Sequence, residues 1–274
     1  MSEFKYAICN ETFQQVSVEE SFALAKRYGY TGVEVAPFTL ANDCRTVDRA
    51  TRLAVRAAAE QLELEVVGLH WLLAKTEGFY LTSPDASVRE ATRDYLVALA
   101  ELCFDLGGTV MVLGSPQQRN LLPGVSYDEA EGYAAEVLRG VMPTLERLGI
   151  VLAVEPLGPQ EGDFMLTADQ GRALIERVGS SQCRLHLDVK AMSSESIAMP
   201  EIIRANADIL EHFHANDANR RGPGMGEIDF VPILRALDDI DYDGWVSVEV
   251  FDYEPGPDAL AGGSLAYLQN CAPR

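Results

Sequence analysis

Residues 150–189 read IVLAVEPLGPQEGDFMLTADQGRALIERVGSSQCRLHLDV. Apolar and β-branched residues fill two short runs in this segment, at 150–155 and at 183–189, and such runs are typical of buried strands. Between them, Thr167 precedes Gln170 with the spacing of an N-terminal capping box, which predicts the start of a helix. A strand, a helix and a second buried strand form a β-α-β unit, in which the two strands are parallel.

The same alternation runs along the whole chain. Each predicted strand is followed by a helical stretch, and no linker or change of composition divides the sequence. We therefore predict an α/β fold with one domain over residues 1–274, a single (β/α)₈ TIM barrel, with a doubly wound sheet as the weaker alternative. The predicted strands are Lys5–Cys9, Gly32–Ala36, Leu64–Leu69, Thr109–Leu113, Ile150–Glu155, Cys183–Val189, Glu211–Ala215 and Gly244–Val250.

Helix signals support this interpretation. In Val88–Leu106 the apolar residues recur on one face, and two glycines follow at the end of the stretch. Ser17 and Ser126 begin further capping-box patterns, each with Glu three residues later. Pro143 lies inside the helical periodicity of residues 128–148 and predicts a kink or a break there.

Charge and composition exclude several classes of function. The chain has 22 Lys and Arg against 42 Asp and Glu, a formal net charge of −20. We therefore expect neither a nucleic acid nor an anionic membrane surface as partner, because both require cationic patches. The five cysteines are scattered and include no CxxC pair, which argues against a disulfide framework or a zinc knuckle. Without a signal-peptide pattern or a membrane-length apolar run, we expect a cytoplasmic protein.

Four polar residues stand at the carboxyl ends of the last four predicted strands. Barrel enzymes carry out their chemistry at this face. Three carboxylates in one pocket would repel each other, and a divalent cation would remove that repulsion. One imidazole with three carboxylates suits Mn²⁺, Mg²⁺ or Co²⁺, although a structural ion pair is the alternative for any single residue. The predicted metal ligands are Glu155, Asp188, His214 and Glu249.

Other polar residues point toward the same interior. His186 and His212 each lie two positions before a predicted ligand, so strand alternation directs them to the same side. Each is either an orienting donor or a hydrogen-bonded core histidine. Glu34 and His70 end the second and third strands and could line the pocket. Trp71 could pack against a sugar, or it could be an ordinary packing aromatic.

Residues 216–228, NDANRRGPGMGEI, are too rich in Gly, Asn and Arg for a helix and predict a loop at the catalytic face. Arg220 and Arg221 are candidates for holding oxygen-rich substrate atoms, and pairing with an acidic neighbour is the alternative. The glycines do not form a phosphate-binding fingerprint, because no strand–turn–helix context surrounds them.

Taken together, these segments resemble the sugar phosphate isomerase/epimerase superfamily of xylose isomerase-like barrels, and within it the ketose 3-epimerases related to D-tagatose 3-epimerase. The likeness spans nearly the whole chain. The most specific segments are VEPLG (154–158), HLDVKAM (186–192), HFHANDANRRGPGMG (212–226) and VSVEVF (246–251).

This resemblance implies the same four ligands and one divalent ion, with Mn²⁺ as the first expectation and Mg²⁺, Co²⁺ or Zn²⁺ as alternatives. It also implies that Glu155 and Glu249 act as the two bases, on opposite faces of a sugar substrate. Substrate contacts are implied at Glu161 and Arg220. Relatives form dimers and tetramers, so the resemblance leaves both a homodimer and a homotetramer open.

Two positions depart from the family pattern. Ketose epimerases have a substrate-holding His three residues after the ligand Asp, where this chain has Ala191, preceded by Lys190. The segment after Glu155 reads PLGPQE, where an Asn-Arg pair is expected. Both departures lie in the pocket and leave the four predicted ligands intact. His70, His186 and Lys190 are further candidate substrate-binding residues.

Three alternatives accompany an epimerase or isomerase. A lyase or dehydratase would use the same proton abstraction on a keto-sugar, an inosose or a 3-keto-glycoside. A three-zinc DNA-repair endonuclease of similar architecture needs many histidines, whereas this acidic chain has only four. A barrel that only binds sugar would not need an intact four-ligand site.

Overall fold

Eight parallel strands form a closed barrel in the computed structural model, which describes residues 4–273. Each strand pairs with its neighbours in sequence, and β1 closes the ring against β8. The predicted (β/α)₈ barrel is confirmed; residues 1–3 and 274 of the predicted domain lie outside the described residues. The strands are β1 (Lys5–Cys9), β2 (Gly32–Val35), β3 (Glu65–Leu69), β4 (Val110–Leu113), β5 (Val151–Val154), β6 (Cys183–Asp188), β7 (Leu210–Ala215) and β8 (Trp245–Val248).

An outer layer of helices surrounds the barrel, and their buried apolar faces form one continuous core with the strands. Short 3₁₀ turns lie in several of the loops, and a π-helical turn at Asp258–Gly263 leads into the last helix. The α-helices are α1 (Val18–Tyr28), α2 (Arg49–Gln61), α3 (Ala86–Leu106), α4 (Tyr127–Leu148), α5 (Ala168–Val178), α6 (Val189–Met192), α7 (Met199–Ala205), α8 (Phe230–Asp239) and α9 (Ser264–Cys271).

The predicted helix starts are confirmed at two positions and differ in detail at a third. Ser17 and Ser126 each make both hydrogen bonds of a capping box. Thr167 accepts the N–H of Gln170 at 3.3 Å, but the Gln170 side chain accepts the N–H of Leu166 instead of the cap residue.

The break considered at Pro143 does not occur, because α4 runs continuously from Tyr127 to Leu148. A proline removes one N–H donor and leaves the carbonyl four residues earlier, that of Arg139, without its helical partner. Both residues are exposed, so water can satisfy this carbonyl. Buried Val141, Met142 and Leu145 hold the helix against the barrel on both sides of the proline.

Irregular strand pairing directs polar side chains into the barrel. The register between β2 and β3 shifts between Val33 and Glu34, and the register between β6 and β7 shifts between Leu185 and His186. Such irregularities change the direction of a side chain and are frequent beside active sites. Glu34 and His186 are consequently fully buried polar residues inside the barrel.

None of the helices in residues 4–273 combines the length and apolar character needed to cross a bilayer.

Candidate active site and metal centre

The four predicted ligands lie together at the carboxyl ends of consecutive strands. Glu155 directly follows β5, Asp188 ends β6, His214 is the penultimate residue of β7, and Glu249 directly follows β8. Strand pairing places Asp188 opposite His214. All four are buried, with at most 6% of any residue exposed. The closed barrel thus brings together the polar residues that were predicted at the ends of apolar strands.

Three of these residues form one cluster with a histidine. Glu155, Asp188, His214 and His186 each offer a potential ligand atom, and all of these atoms lie within 4.8 Å of one another. Glu249 lies beside the cluster, with its Oε2 3.0 Å from His214 Nδ1. This cluster of imidazole and carboxylate groups could hold a divalent metal ion.

A buried carboxylate orients the histidines. Glu34 Oε1 lies 2.8 Å from His212 Nε2 and 3.1 Å from His214 Nε2. Burial alone would raise the pKa of Glu34, but the two histidines hold it well below its usual range. Because Glu34 occupies Nε2 of His214, Nδ1 is the ring nitrogen that faces Glu249. Metal-binding histidines in proteins are commonly oriented by a carboxylate in this way.

Asp188 is fixed from two sides. Its Oδ1 accepts the N–H of Ala191 at 2.8 Å, and its Oδ2 accepts the side-chain amide of Asn216 at 2.5 Å. Asn216 in turn accepts the N–H of Lys190 at 2.8 Å. Burial raises the pKa of Asp188 above its usual value, although Lys190 opposes this change. These contacts hold the carboxylate in one orientation.

Glu155 is held through its main chain, whereas its carboxylate accepts no hydrogen bond from the described residues. The guanidinium of Arg119 donates to the carbonyl of Glu155 at 2.7 Å, and also to the carbonyls of Leu113 and Met165. Burial raises the pKa of Glu155 well above its usual value, and the carboxylates of Glu249 and Asp188 raise it further. Unless a cation is bound, the negative charge of Glu155 is therefore disfavoured both by burial and by repulsion from the two neighbouring carboxylates.

The residues present fit a divalent cation. Three carboxylates converge in a buried space, where unpaired negative charge is costly. Both ring nitrogens of His186 are buried without a hydrogen-bond partner among the described residues. A cation would balance the carboxylates, and an imidazole nitrogen that has no proton can serve as a ligand. The oxygen and nitrogen donors of this cluster match the hard and borderline ions expected from the sequence.

A cavity of about 350 Å³ opens above this cluster. Of the predicted substrate-binding residues, His70, Glu161 and Arg220 line it, together with both predicted bases. Lys190 lies at its edge, with Nζ 2.6 Å from Glu161 Oε2 and 4.8 Å from the centre of the Phe251 ring. The lining residues are His70, Trp71, Ala74, Lys75, Val112, Gly114, Ser115, Pro116, Gln117, Gln118, Glu155, Leu157, Glu161, Arg220, Glu249 and Phe251.

The two histidine candidates lie deeper than the other substrate-binding candidates. His186 is fully buried beneath the cavity, and its ring centre is 4.2 Å from that of His214 in an edge-to-face contact. His70 reaches the cavity wall, but its Nε2 is 2.7 Å from the buried Glu11 carboxylate. Burial opposes the charged form of His70, yet Cys9 and Glu11 hold its pKa well above the usual value.

The loop after β7 folds around a buried carboxylate. Asp217 accepts the N–H of Ala218 at 2.8 Å and that of Gly226 at 3.0 Å. The two candidate arginines of this loop have different surroundings. Arg220 lines the cavity, whereas Arg221 pairs with Asp252 at 2.8 Å and with Glu254 at 2.6 Å. The acidic pairing considered for these arginines therefore applies to Arg221.

Sequence reasoning missed three contacts of this site. These are the buried Arg119 beneath Glu155, the pairing of Glu11 with His70, and a hydrogen bond at 2.7 Å from the Trp71 indole to Glu249 Oε1. Each contact joins residues from separate strand ends or loops, so no local spacing in the sequence marks it. The one available signal was that Trp71 directly follows His70 at a strand end.

Gly114 provides the space that Glu155 occupies. A Cβ at this position would collide with Glu155 Oε2, the end of a side chain that can rotate away. We expect Gly114→Ala to keep the fold and to weaken Mn²⁺ binding about tenfold, the lower range for disturbing a ligand's surroundings. Titration calorimetry and thermal unfolding would measure the two effects. Gly140→Ala is the matched control, because its Cβ meets only the flexible Arg93 side chain on the outer helices.

An unchanged Mn²⁺ affinity in Gly114→Ala would contradict the assignment of Glu155 to the metal centre. A large loss of thermal stability without metal would instead show that the added methyl group disturbs the barrel.

The sequence model of the family described as xylose isomerase-like TIM barrel matches residues 22–271. The chain belongs to this family. Within it, the chain is 26% identical over 267 residues to a probable ketose 3-epimerase from Synechocystis, covering 92% of this chain and 90% of that protein. It is 36% identical over 175 residues to a D-psicose 3-epimerase from Agrobacterium fabrum, covering 62% of this chain and 60% of that protein.

Another relative differs in the position at which it acts. A 3-dehydro-D-guloside 4-epimerase from Escherichia coli is 25% identical over 271 residues, covering 96% of this chain and 98% of that protein. Among solved structures, a D-psicose 3-epimerase with D-tagatose from Clostridium cellulolyticum superimposes with a TM-score of 0.87 at 20% identity. That superposition covers 98% of this chain and 99% of the other chain, and it shows the shared fold.

Proposed function

We propose that this protein is a metal-dependent sugar epimerase or isomerase that removes a proton from the carbon beside the carbonyl of a keto-sugar. One observation carries the proposal: Glu155 and Glu249, from the ends of β5 and β8, both line a cavity whose floor is a buried carboxylate–histidine cluster. The relatives that match most of the chain are epimerases, which supports an enzyme of the isomerase class. Its substrate is a small sugar molecule.

Glu155, Asp188, His214 and Glu249 would hold one divalent ion, with Mn²⁺ the first choice. When bound, such an ion stabilises the negative charge that develops on the substrate oxygen as the neighbouring C–H loses its proton. Asp188 serves as a fixed ligand, since two donors hold its carboxylate. Glu34 serves to present Nδ1 of His214 to the centre.

The two glutamates divide the proton transfer. One takes the proton from the substrate carbon to leave an enediolate, and the other returns a proton to the opposite face, which inverts the carbon. The carboxylate of Glu155 lies above Gly114 without a donor, so it has a free lone pair for a proton. Arg220, Glu161 and Lys190 surround the cavity beside these groups and would orient the substrate hydroxyls.

A lyase is the second candidate function. It is supported by the residues after Asp188, which differ from the pattern of the ketose epimerases. Position 191 carries a buried alanine whose N–H is bound by Asp188, so it offers no side-chain donor to a substrate hydroxyl. With the same proton abstraction, a keto-glycoside or inosose could lose a leaving group from the neighbouring carbon. The products distinguish the two reactions, because elimination releases a leaving group and epimerisation does not.

The decisive experiment is a substrate screen in D₂O with saturating Mn²⁺. Free ketoses, keto-glycosides and inososes would each be incubated with the enzyme and followed by NMR. An epimerase inverts one carbon and incorporates deuterium there, an isomerase yields an aldose, and a lyase yields an unsaturated or dehydrated product. If no substrate exchanges a C–H in the presence of bound metal, the proposed function is wrong.

We expect slow turnover of free fructose and tagatose at C3, because Ala191 replaces the histidine that ketose epimerases use. A missing hydrogen bond to a substrate hydroxyl corresponds to about 1–3 kcal/mol. The measurement is kcat/KM for these ketoses against that for the best substrate of the screen. Fast epimerisation of either free ketose would contradict this expectation.

A further inference from the structure

Trp71 directly follows β3 in an unusual backbone conformation. Its φ is +54°, in the left-handed region that bulky residues rarely adopt. Such conformations are strained and persist where the surroundings enforce them, often at active sites. Here the chain turns sharply, so that His70 points into the barrel and Trp71 lines the cavity. The next two residues, Leu72 and Leu73, are buried and anchor the turn.

Aromatic side chains from two other loops hold the indole in place. The ring of Phe251, after β8, is nearly parallel to it, with centres 6.0 Å apart and an angle of 23°. The ring of Phe38, after β2, is tilted by 56° with its centre 5.7 Å away. Trp71 is therefore fixed between neighbours, and Phe251 already covers one face on which a sugar ring could stack.

The fixed indole makes one polar contact, and it is with a predicted base. Trp71 Nε1–H donates to Glu249 Oε1 at 2.7 Å, while Glu249 Oε2 faces His214 Nδ1 at 3.0 Å. The two carboxylate oxygens of Glu249 consequently have different partners. Glu155 differs in this respect, because its carboxylate accepts no hydrogen bond from the described residues. Glu249 is thus held on both oxygens, whereas no hydrogen bond from a described residue holds the carboxylate of Glu155.

We propose that Trp71 is a positioning residue that fixes the carboxylate of Glu249, with Oε2 directed to His214 and Oε1 held at the cavity wall. This inference rests on the proposed two-glutamate function. The indole N–H, not the bulk of the ring, carries the effect. A phenylalanine keeps the aromatic packing and removes only the donor, so Trp71→Phe separates the two roles.

The contact itself can be tested without substrate. The chain has two tryptophans, so a ¹H–¹⁵N spectrum contains two indole signals, and loss of one in Trp71→Phe assigns it. We expect the Trp71 signal to shift clearly in Glu249→Gln and to stay in place in Glu155→Gln, the matched control. Equal positions in both variants would show that the indole does not bind Glu249 in solution and would overturn the inference.

The consequence is measured by metal affinity and turnover. We expect Trp71→Phe to bind Mn²⁺ about tenfold more weakly, as is usual when a group that orients a ligand is lost. At saturating Mn²⁺, its kcat should fall about tenfold with little change in KM. Trp245→Phe is the matched control, because it makes the same substitution at the amino end of β8, away from the cavity, and it should stay within about twofold of the wild type in both measurements.

The outcomes separate this inference from the function on which it rests. If the wild type binds Mn²⁺ and turns over a keto-sugar, but Trp71→Phe matches it in both, only the role of Trp71 is refuted. The same holds if Trp245→Phe loses as much as Trp71→Phe, since the loss would then not depend on the contact with Glu249. If the wild type neither binds Mn²⁺ nor exchanges a substrate C–H, the proposed function fails and this inference fails with it.

Discussion

Glu155→Gln and Glu249→Gln should each lower turnover about 100-fold or more, the usual scale for losing a positioned acid or base. Both side chains line the cavity, and glutamine keeps much of their shape while removing the ability to take a proton. A neutral amide is also a weaker metal ligand, so turnover must be measured at saturating Mn²⁺. Glu211→Gln is the control, because Glu211 lies near the opposite, amino end of β7, 3.7 Å from Arg184.

Isotope exchange tells the two glutamates apart. A variant that keeps the abstracting base should still exchange the substrate C–H with D₂O while failing to invert the carbon. A variant that lacks it should lose both exchange and inversion. If both variants retain turnover at saturating metal, the glutamates are ligands only. The proton transfer would then belong to His70, His186 or Lys190.

Much of this fold follows from local patterns. Short apolar and β-branched runs predict all eight strands, and the observed ends differ by at most two residues, as at Ile150–Glu155 against β5. A charged residue in a buried strand is costly unless it is paired or bound to a cation, so Glu155 and Asp188 could be singled out from the sequence. A closed barrel then brings the ends of consecutive strands together without further information.

The contacts that the sequence could not reveal are those between side chains that meet across the barrel. Glu34 binds His214 from a strand 180 residues away, and the register shift before Glu34 directs it inward. Strand alternation placed His186 in the interior but could not show whether it reaches the cavity or lies beneath it. Trp71 contacts Glu249 from a left-handed backbone conformation, which a sequence suggests only at residues such as glycine, asparagine or aspartate.

Mn²⁺ should raise the thermal stability of the wild type, and Asp188→Asn should abolish this increase. A ligand at 100 times its Kd stabilises the folded state by about 2.7 kcal/mol. For a chain of this size that corresponds to a rise in Tm of roughly 5–10 °C. Asp217→Asn is the matched control, because Asp217 is an equally buried carboxylate that only organises the loop after β7. It should lose stability with and without metal but keep the Mn²⁺-dependent increase.

Glu155→Gln provides the sharpest form of the same test. Without metal its Tm should lie above that of the wild type, and with metal it should lie below. With a chelator present, the variant should have a higher Tm than the wild type, since burial and the neighbouring carboxylates already hold the pKa of Glu155 well above its usual value. The neutral amide relieves this repulsion, and no hydrogen bond from a described residue to the carboxylate is lost. With saturating Mn²⁺, the wild type should become the more stable protein, because it binds the ion with one more charged ligand.

Differential scanning calorimetry of both proteins, with chelator and with Mn²⁺, measures this change in the order of their Tm values. A Glu155→Gln variant that is less stable than the wild type by the same amount in both would show that Glu155 stabilises the fold without binding a cation.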